Sequence, residues 1–75
     1  MDLIFKEQQK IHITPREIQV IELLAEGKTN AEIGEILFIS FHTVKAILEK
    51  IYEKTGCANR VQVAVFAIKN NLIHK

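Results

Sequence analysis

The sequence predicts an all-α fold, a bundle of four helices over about residues 15–26, 30–37, 41–55 and 60–70. Three observations predict it. Helix-start signatures recur in "TPRE", "TNAE", "SFHT" and "NRVQ". Between them, apolar residues return at three- and four-residue spacing, and the connections are short. No stretch carries a strand signal that outweighs these.

The first helix starts where Thr14 caps, Pro15 suits the first helical position, and Glu17 stands three residues after the cap to close a capping box. Ile18, Ile21, Leu24 and Ala25 form its apolar stripe, and Gly27 stops it as a left-handed cap. The second is short: Thr29 or Asn30 caps, Glu32 reaches back, and Ala31, Ile33, Ile36 and Leu37 make its apolar face. Ser40 caps the third, with Thr43 three residues on, and Gly56 ends it. Asn59 caps the fourth and Gln62 closes its box. Val61, Val63 and Val65 alternate as a strand would, but Ala64, Phe66, Ala67 and Ile68 fill the positions between, so this segment reads as a helix with more than one apolar side.

The chain has 75 residues, room for one domain with one small core. Apolar residues make up 48%, too many for a disordered tail. We divide it into an N-terminal arm or frayed helix over 1–12 and a domain over 13–73. With a single cysteine, Cys57, no disulfide forms within the chain, and His12, His42 and His74 lack metal-ligand spacing, so no metal and no cofactor is expected. Cys57 is expected as a small buried residue. No apolar run approaches the ~18 residues of a membrane span and the N-terminus lacks signal-peptide character, so a cytoplasmic protein with no membrane partner is expected. Net charge is +1. It is uneven: three Lys/Arg against five Asp/Glu over residues 1–27, seven against four over 28–75. The second half leans toward a negatively charged partner, although the total lies far from a strongly basic balance.

The second and third helices, joined by a turn of about three residues, have the layout of a helix-turn-helix. On the third, Val44, Ile47, Leu48 and Ile51 share one side, bordered by Phe41 and Tyr52. His42, Ala46, Glu49 and Glu53 share the other, flanked by Thr43, Lys45 and Lys50. In a major groove each has a use. Lys45 donates to guanine or phosphate, Glu49 accepts from cytosine N4, and the small Ala46 permits close approach and touches a thymine methyl. Thr43 and the free N–H groups at the helix start hold phosphate, as do Thr29 and Asn30 one helix earlier. A solvated face with ordinary charge pairing, Lys45–Glu49 and Glu49–Lys50, accounts for the same residues.

Several fixed spacings together resemble the LuxR/FixJ-type (GerE-like) helix-turn-helix domain: T-x-R-E at 14–17, A-x-G-K-T-N at 25–30, E-I-G at 32–34, L-x-I-S at 37–40, T-V-K at 43–45 and K-x-G-x-x-x-R at 54–60. The resemblance spans residues 13–73. It implies a DNA-binding transcriptional regulator whose third helix reads the major groove and whose last helix packs on the first and mediates dimerisation. Carried onto this sequence, Lys45, Ala46 and Glu49 match groove-facing positions; Thr43, Lys28, Thr29 and Asn30 match backbone-contacting ones. Arg16 and Glu17 match a motif tying the first helix to the others, and Arg60 a structural position with phosphate contact. Ile47 departs from the family's usual histidine and reads as core. Glu49 and Lys50 replace other polar residues.

The candidate DNA-binding residues are thus Lys28, Thr29, Asn30, His42, Thr43, Lys45, Ala46, Glu49 and Lys50. The candidate dimer face is Val61, Val65, Ile68 and Leu72, which monomer-core packing explains equally well. The expected partners are double-stranded DNA and a second copy, with RNA polymerase or a regulatory protein beyond them. The alternative is a protein-interaction module of the same fold that has lost DNA affinity, motivated by Glu49, Glu53 and the near-neutral charge. No catalytic constellation or phosphate-binding glycine loop supports an enzyme.

Overall fold

The computed structural model describes residues 11–74. The arm expected over 1–12 lies outside them except for Ile11 and His12, which are exposed and not helical. Four helices follow: α1 (Pro15–Ala25), α2 (Asn30–Leu37), α3 (Phe41–Thr55) and α4 (Arg60–Lys69). Among the described residues there is no strand, and no helix is long and apolar enough to cross a membrane.

Each helix starts on a side chain that accepts a backbone N–H three residues on, satisfying a donor the helix itself leaves orphaned. Thr14 Oγ1 takes the Glu17 N–H at 3.1 Å and Glu17 returns the favour to the Thr14 N–H at 2.9 Å. Thr29, not Asn30, caps α2, with Glu32 closing the box at 2.8 Å. Ser40 accepts from Thr43 at 3.0 Å. Asn59 accepts from Gln62 at 2.9 Å, but Gln62 reaches the Ala58 N–H at 2.7 Å rather than that of Asn59. The expected box therefore closes one residue early. Asn59 has φ −155°, against −74° to −79° at the other caps, so its N–H is turned differently.

Three of the helices end the same way: a residue with positive φ lets its own N–H and that of the next residue fold back on the last carbonyls. Gly27 does this for α1 (φ 89°), with Lys28 N–H on Leu23 O at 3.1 Å. Asn71 (φ 58°) does it for α4, with Leu72 N–H on Ala67 O at 2.8 Å. For α2 the residue is Phe38 (φ 59°), with Ile39 N–H on Gly34 O at 2.9 Å. A bulky residue in this conformation is strained by roughly 1–2 kcal/mol, and Phe38 is also 92% exposed.

The core draws on every helix: Val20, Ile21 and Leu24 of α1, Ile33 of α2, Val44, Leu48 and Ile51 of α3, Val63 and Ala67 of α4, and then Ile73. Each fully buried isoleucine stabilises the fold by roughly 1.5–3 kcal/mol. Ile47, Tyr52 and Cys57 pack half-buried at its edge. The apolar face expected on α2 is narrower than its composition. Ile33 is buried and Leu37 half-buried, but Ala31 and Ile36 are exposed, because two turns of helix touch the core along one line.

Two long-range ties complete the frame. Lys54 Nζ donates to both carboxylate oxygens of Glu17, at 2.8 and 3.0 Å, and to the His12 carbonyl at 3.0 Å. This clamps α3 to the start of α1, the tie the T-x-R-E motif implied for Glu17. Arg60, at the start of α4, donates to Asn30 Oδ1 at 3.2 Å and to the Lys28 carbonyl.

Candidate nucleic-acid interface

The turn between α2 and α3 is three residues long, and Gly34 makes it possible. Gly34 is buried, and a Cβ there would stand 2.7 Å from the Ile39 carbonyl oxygen. That close approach fixes how α3 leaves α2. Ser40 then holds the first turn of α3 twice, accepting from the Thr43 N–H and sharing a 2.9 Å hydrogen bond with the Thr43 hydroxyl. Two hydroxyls sharing one such bond keep one O–H free to donate outward.

With Val44, Leu48 and Ile51 buried, helical geometry turns the rest of α3 to the surface. His42, Thr43, Lys45, Ala46, Glu49 and Lys50 are all exposed. Among the described residues no ion pair engages Lys45, Glu49 or Lys50, so the charge pairing open to them in the sequence does not form. The face therefore presents two ammonium groups, a carboxylate, an imidazole and a methyl group. It offers donors, an acceptor and an apolar point, on a helix held rigid from behind.

The α2 start is organised differently. Thr29 is exposed, but its hydroxyl oxygen is engaged as the cap. Lys28 and Asn30 are half-buried, and Arg60 engages the carbonyl of one and the side-chain oxygen of the other. What remains outward is the Asn30 amide NH2, the Lys28 ammonium and the first N–H groups of α2, a set suited to an anion. The fork of Arg60, a planar group matching two acceptors, was not legible from residues 30 positions away.

Of the proposed dimer face, Val61, Val65 and Ile68 are 70%, 47% and 43% exposed and border an apolar groove with Leu24 and Ala25 of α1. Leu72 stands apart from this stripe. It lies beyond the end of α4, half-buried against the core.

Residues 12–67 match the family described as bacterial regulatory proteins, luxR family. The chain belongs to the LuxR family. It is 47% identical over 62 residues to the transcriptional regulatory protein LiaR of Bacillus subtilis (strain 168), covering 83% of this chain and 29% of LiaR. It is 40% identical over 73 residues to the transcriptional regulatory protein DegU of Brevibacillus brevis, covering 92% of this chain and 31% of DegU. Among solved structures, the response regulator ChrA of a heme-sensing two-component system superposes with a TM-score of 0.81 at 36% identity, over 85% of this chain and 32% of ChrA. This LuxR-family chain thus spans less than a third of the length of these relatives. Its α2–turn–α3 unit is the family's helix-turn-helix.

Proposed function

We infer that this LuxR-family domain is a sequence-specific DNA-binding transcriptional regulator, either on its own or as the output domain of a larger protein. It binds double-stranded DNA as a dimer, with α3 in the major groove. The observation that carries this reading is the unpaired polar face of α3. Lys45, Ala46 and Glu49 stand side by side, with no ion pair to them among the described residues, on a helix whose opposite side is buried. Lys45 reads guanine or holds phosphate, Glu49 accepts from cytosine, and Ala46 lets the helix approach. The starts of α2 and α3, with Lys28, Thr29, Asn30 and Thr43, hold the flanking backbone, while His42 and Lys50 border the groove.

Fluorescence anisotropy on randomised duplexes at about 50 and 200 mM salt tests it. The wild type is expected to bind with a steep salt dependence. Lys45→Ala is expected to lower affinity about tenfold, the worth of one good base or phosphate contact. Binding indifferent to salt and to Lys45 would overturn the reading and favour a protein partner for the face carrying Glu49 and Glu53.

The second copy docks through Val61, Val65 and Ile68, an exposed apolar stripe beside a groove. Two copies then meet half-sites about one helical turn of DNA apart. Val65→Asp is expected to leave the domain folded, because Val65 is half outside the core. It should shift sedimentation to the monomer and weaken binding to a palindromic duplex by about a hundredfold through lost avidity. A variant that sediments and binds as the wild type would remove α4 from the dimer.

A further inference from the structure

We propose that Phe41 is a specificity residue that reads a thymine methyl group; this rests on the DNA-binding reading and names a base it selects. Phe41 opens α3 and is 48% exposed, although the residues behind it on the helix are core. Water is a poor place for half a phenyl ring. Its direction is nevertheless set. The Ser40 cap fixes the first turn, and the His42 ring meets the Phe41 ring edge to face at 5.7 Å between centroids and 83°.

Phe41, Lys45 and Glu49 follow one another at four-residue intervals, neighbours one turn apart along the edge of the exposed face. A helix placed so that Lys45 and Glu49 reach base edges brings Phe41 to the same groove. The one apolar group a base pair offers in the major groove is the thymine 5-methyl. Against a purine the ring would cover an N7 acceptor without replacing its hydrogen bond, and against cytosine it would find no methyl. Thymine is the base that loses least and gains most. Ala46, a third of a turn further round, is too short to reach the same methyl.

The test uses duplexes enriched from a randomised pool by this chain, with each enriched thymine replaced in turn by deoxyuridine, which removes only the methyl. The wild type is expected to lose about fourfold in affinity at one thymine of each half-site, the worth of one buried methyl group. Phe41→Ala should show no loss at that thymine while keeping the losses, if any, at others, and Phe41→Leu should restore part of it. Circular dichroism confirms that the variants fold. Wild-type binding unaffected by every deoxyuridine, or a Phe41→Ala protein with the wild-type pattern of losses, overturns the assignment and leaves DNA binding intact. A wild type that enriches no duplex overturns the DNA-binding reading, and this proposal with it.

Discussion

Gly34→Val is expected to destabilise the domain by about 3 kcal/mol or more, a large share of the 5–10 kcal/mol that a domain of this size commands. The reason lies in one distance. A first side-chain carbon at position 34 would stand 2.7 Å from the Ile39 carbonyl oxygen, closer than carbon and oxygen tolerate. That oxygen belongs to the backbone of a three-residue turn, so it cannot swing aside as a flexible side chain would. Valine adds two further carbons and is a poor helix former, so α2 and α3 must part. Gly34→Ala brings the same first side-chain carbon against the Ile39 carbonyl and is also expected to destabilise, but by less than valine, because it adds no further carbons and gains about 1 kcal/mol of helix propensity over glycine. Thermal melts should place valine more than 10 °C below the wild type, with alanine between them. A valine variant that melts with the wild type would mean that the two helices do not meet as described. In the fraction that stays folded, valine should also weaken DNA binding, because the α2 start and the face of α3 would no longer be held together.

The second large effect concerns the clamp between α3 and α1. Glu17 is 6% exposed and faces the Lys54 ammonium at 2.8 Å. Burial pushes its carboxyl up, but the hydrogen bond from Lys54, the Thr14 N–H and the ammonium charge together outweigh burial, and the group sits below its ordinary value. A carboxyl held low in the fold contributes stability that is present above the unfolded value and lost as pH falls through the folded one. The wild type should therefore lose stability on acidification through and below the ordinary glutamate range of about pH 4. Lys54→Met leaves the carboxylate without its cation and the His12 carbonyl without its donor. It is expected to cost about 2–3 kcal/mol at pH 7. Since the ionic share of the loss falls on the charged carboxylate, the gap between the two proteins should narrow as pH falls toward about 3, leaving only the pH-independent share of the bond to the His12 carbonyl. Urea titrations across that range measure it. A gap that stays constant with pH would assign the loss to the lysine's packing rather than to the ion pair.

Local signals carried most of the fold. Thr14, Thr29, Ser40 and Asn59 each cap with a partner three residues away, and a pattern confined to four residues is visible to anyone reading along the chain. Helix bounds followed to within a residue. Three features escaped, two of them because their cause is distant. Lys54 meets Glu17 across 37 positions and Arg60 meets Asn30 across 30, and no local pattern couples them. Phe38 stands where glycine is the natural choice, so its sequence gives no sign of a left-handed turn. The candidate site divides along the same line. Lys45, Ala46, Glu49 and Lys50 were readable as an outward face because helical period decides it. That their charges stand unpaired, and that Asn30 gives its oxygen to Arg60, depends on tertiary arrangement. The role of Ile47 as a core-edge residue was readable from period alone. The separation of Leu72 from the α4 stripe was implicit in the same bounds, since Leu72 lies beyond the expected helix end at about 70 and beyond the observed end at Lys69.

The four helix caps have a further meaning for how the chain reaches its shape. Closing a loop of three residues sacrifices little chain entropy, so each helix start can form before distant segments meet. What remains is the docking of preformed pieces around one small core, a topology of mostly neighbouring contacts that belongs with the fast folders. The two clamps, Lys54 on Glu17 and Arg60 on Asn30, join segments 37 and 30 positions apart and need their helices in place before they can close. Collapse and helix formation thus precede the interactions that square the frame, and the surface of α3 takes its final bearing only when they are made.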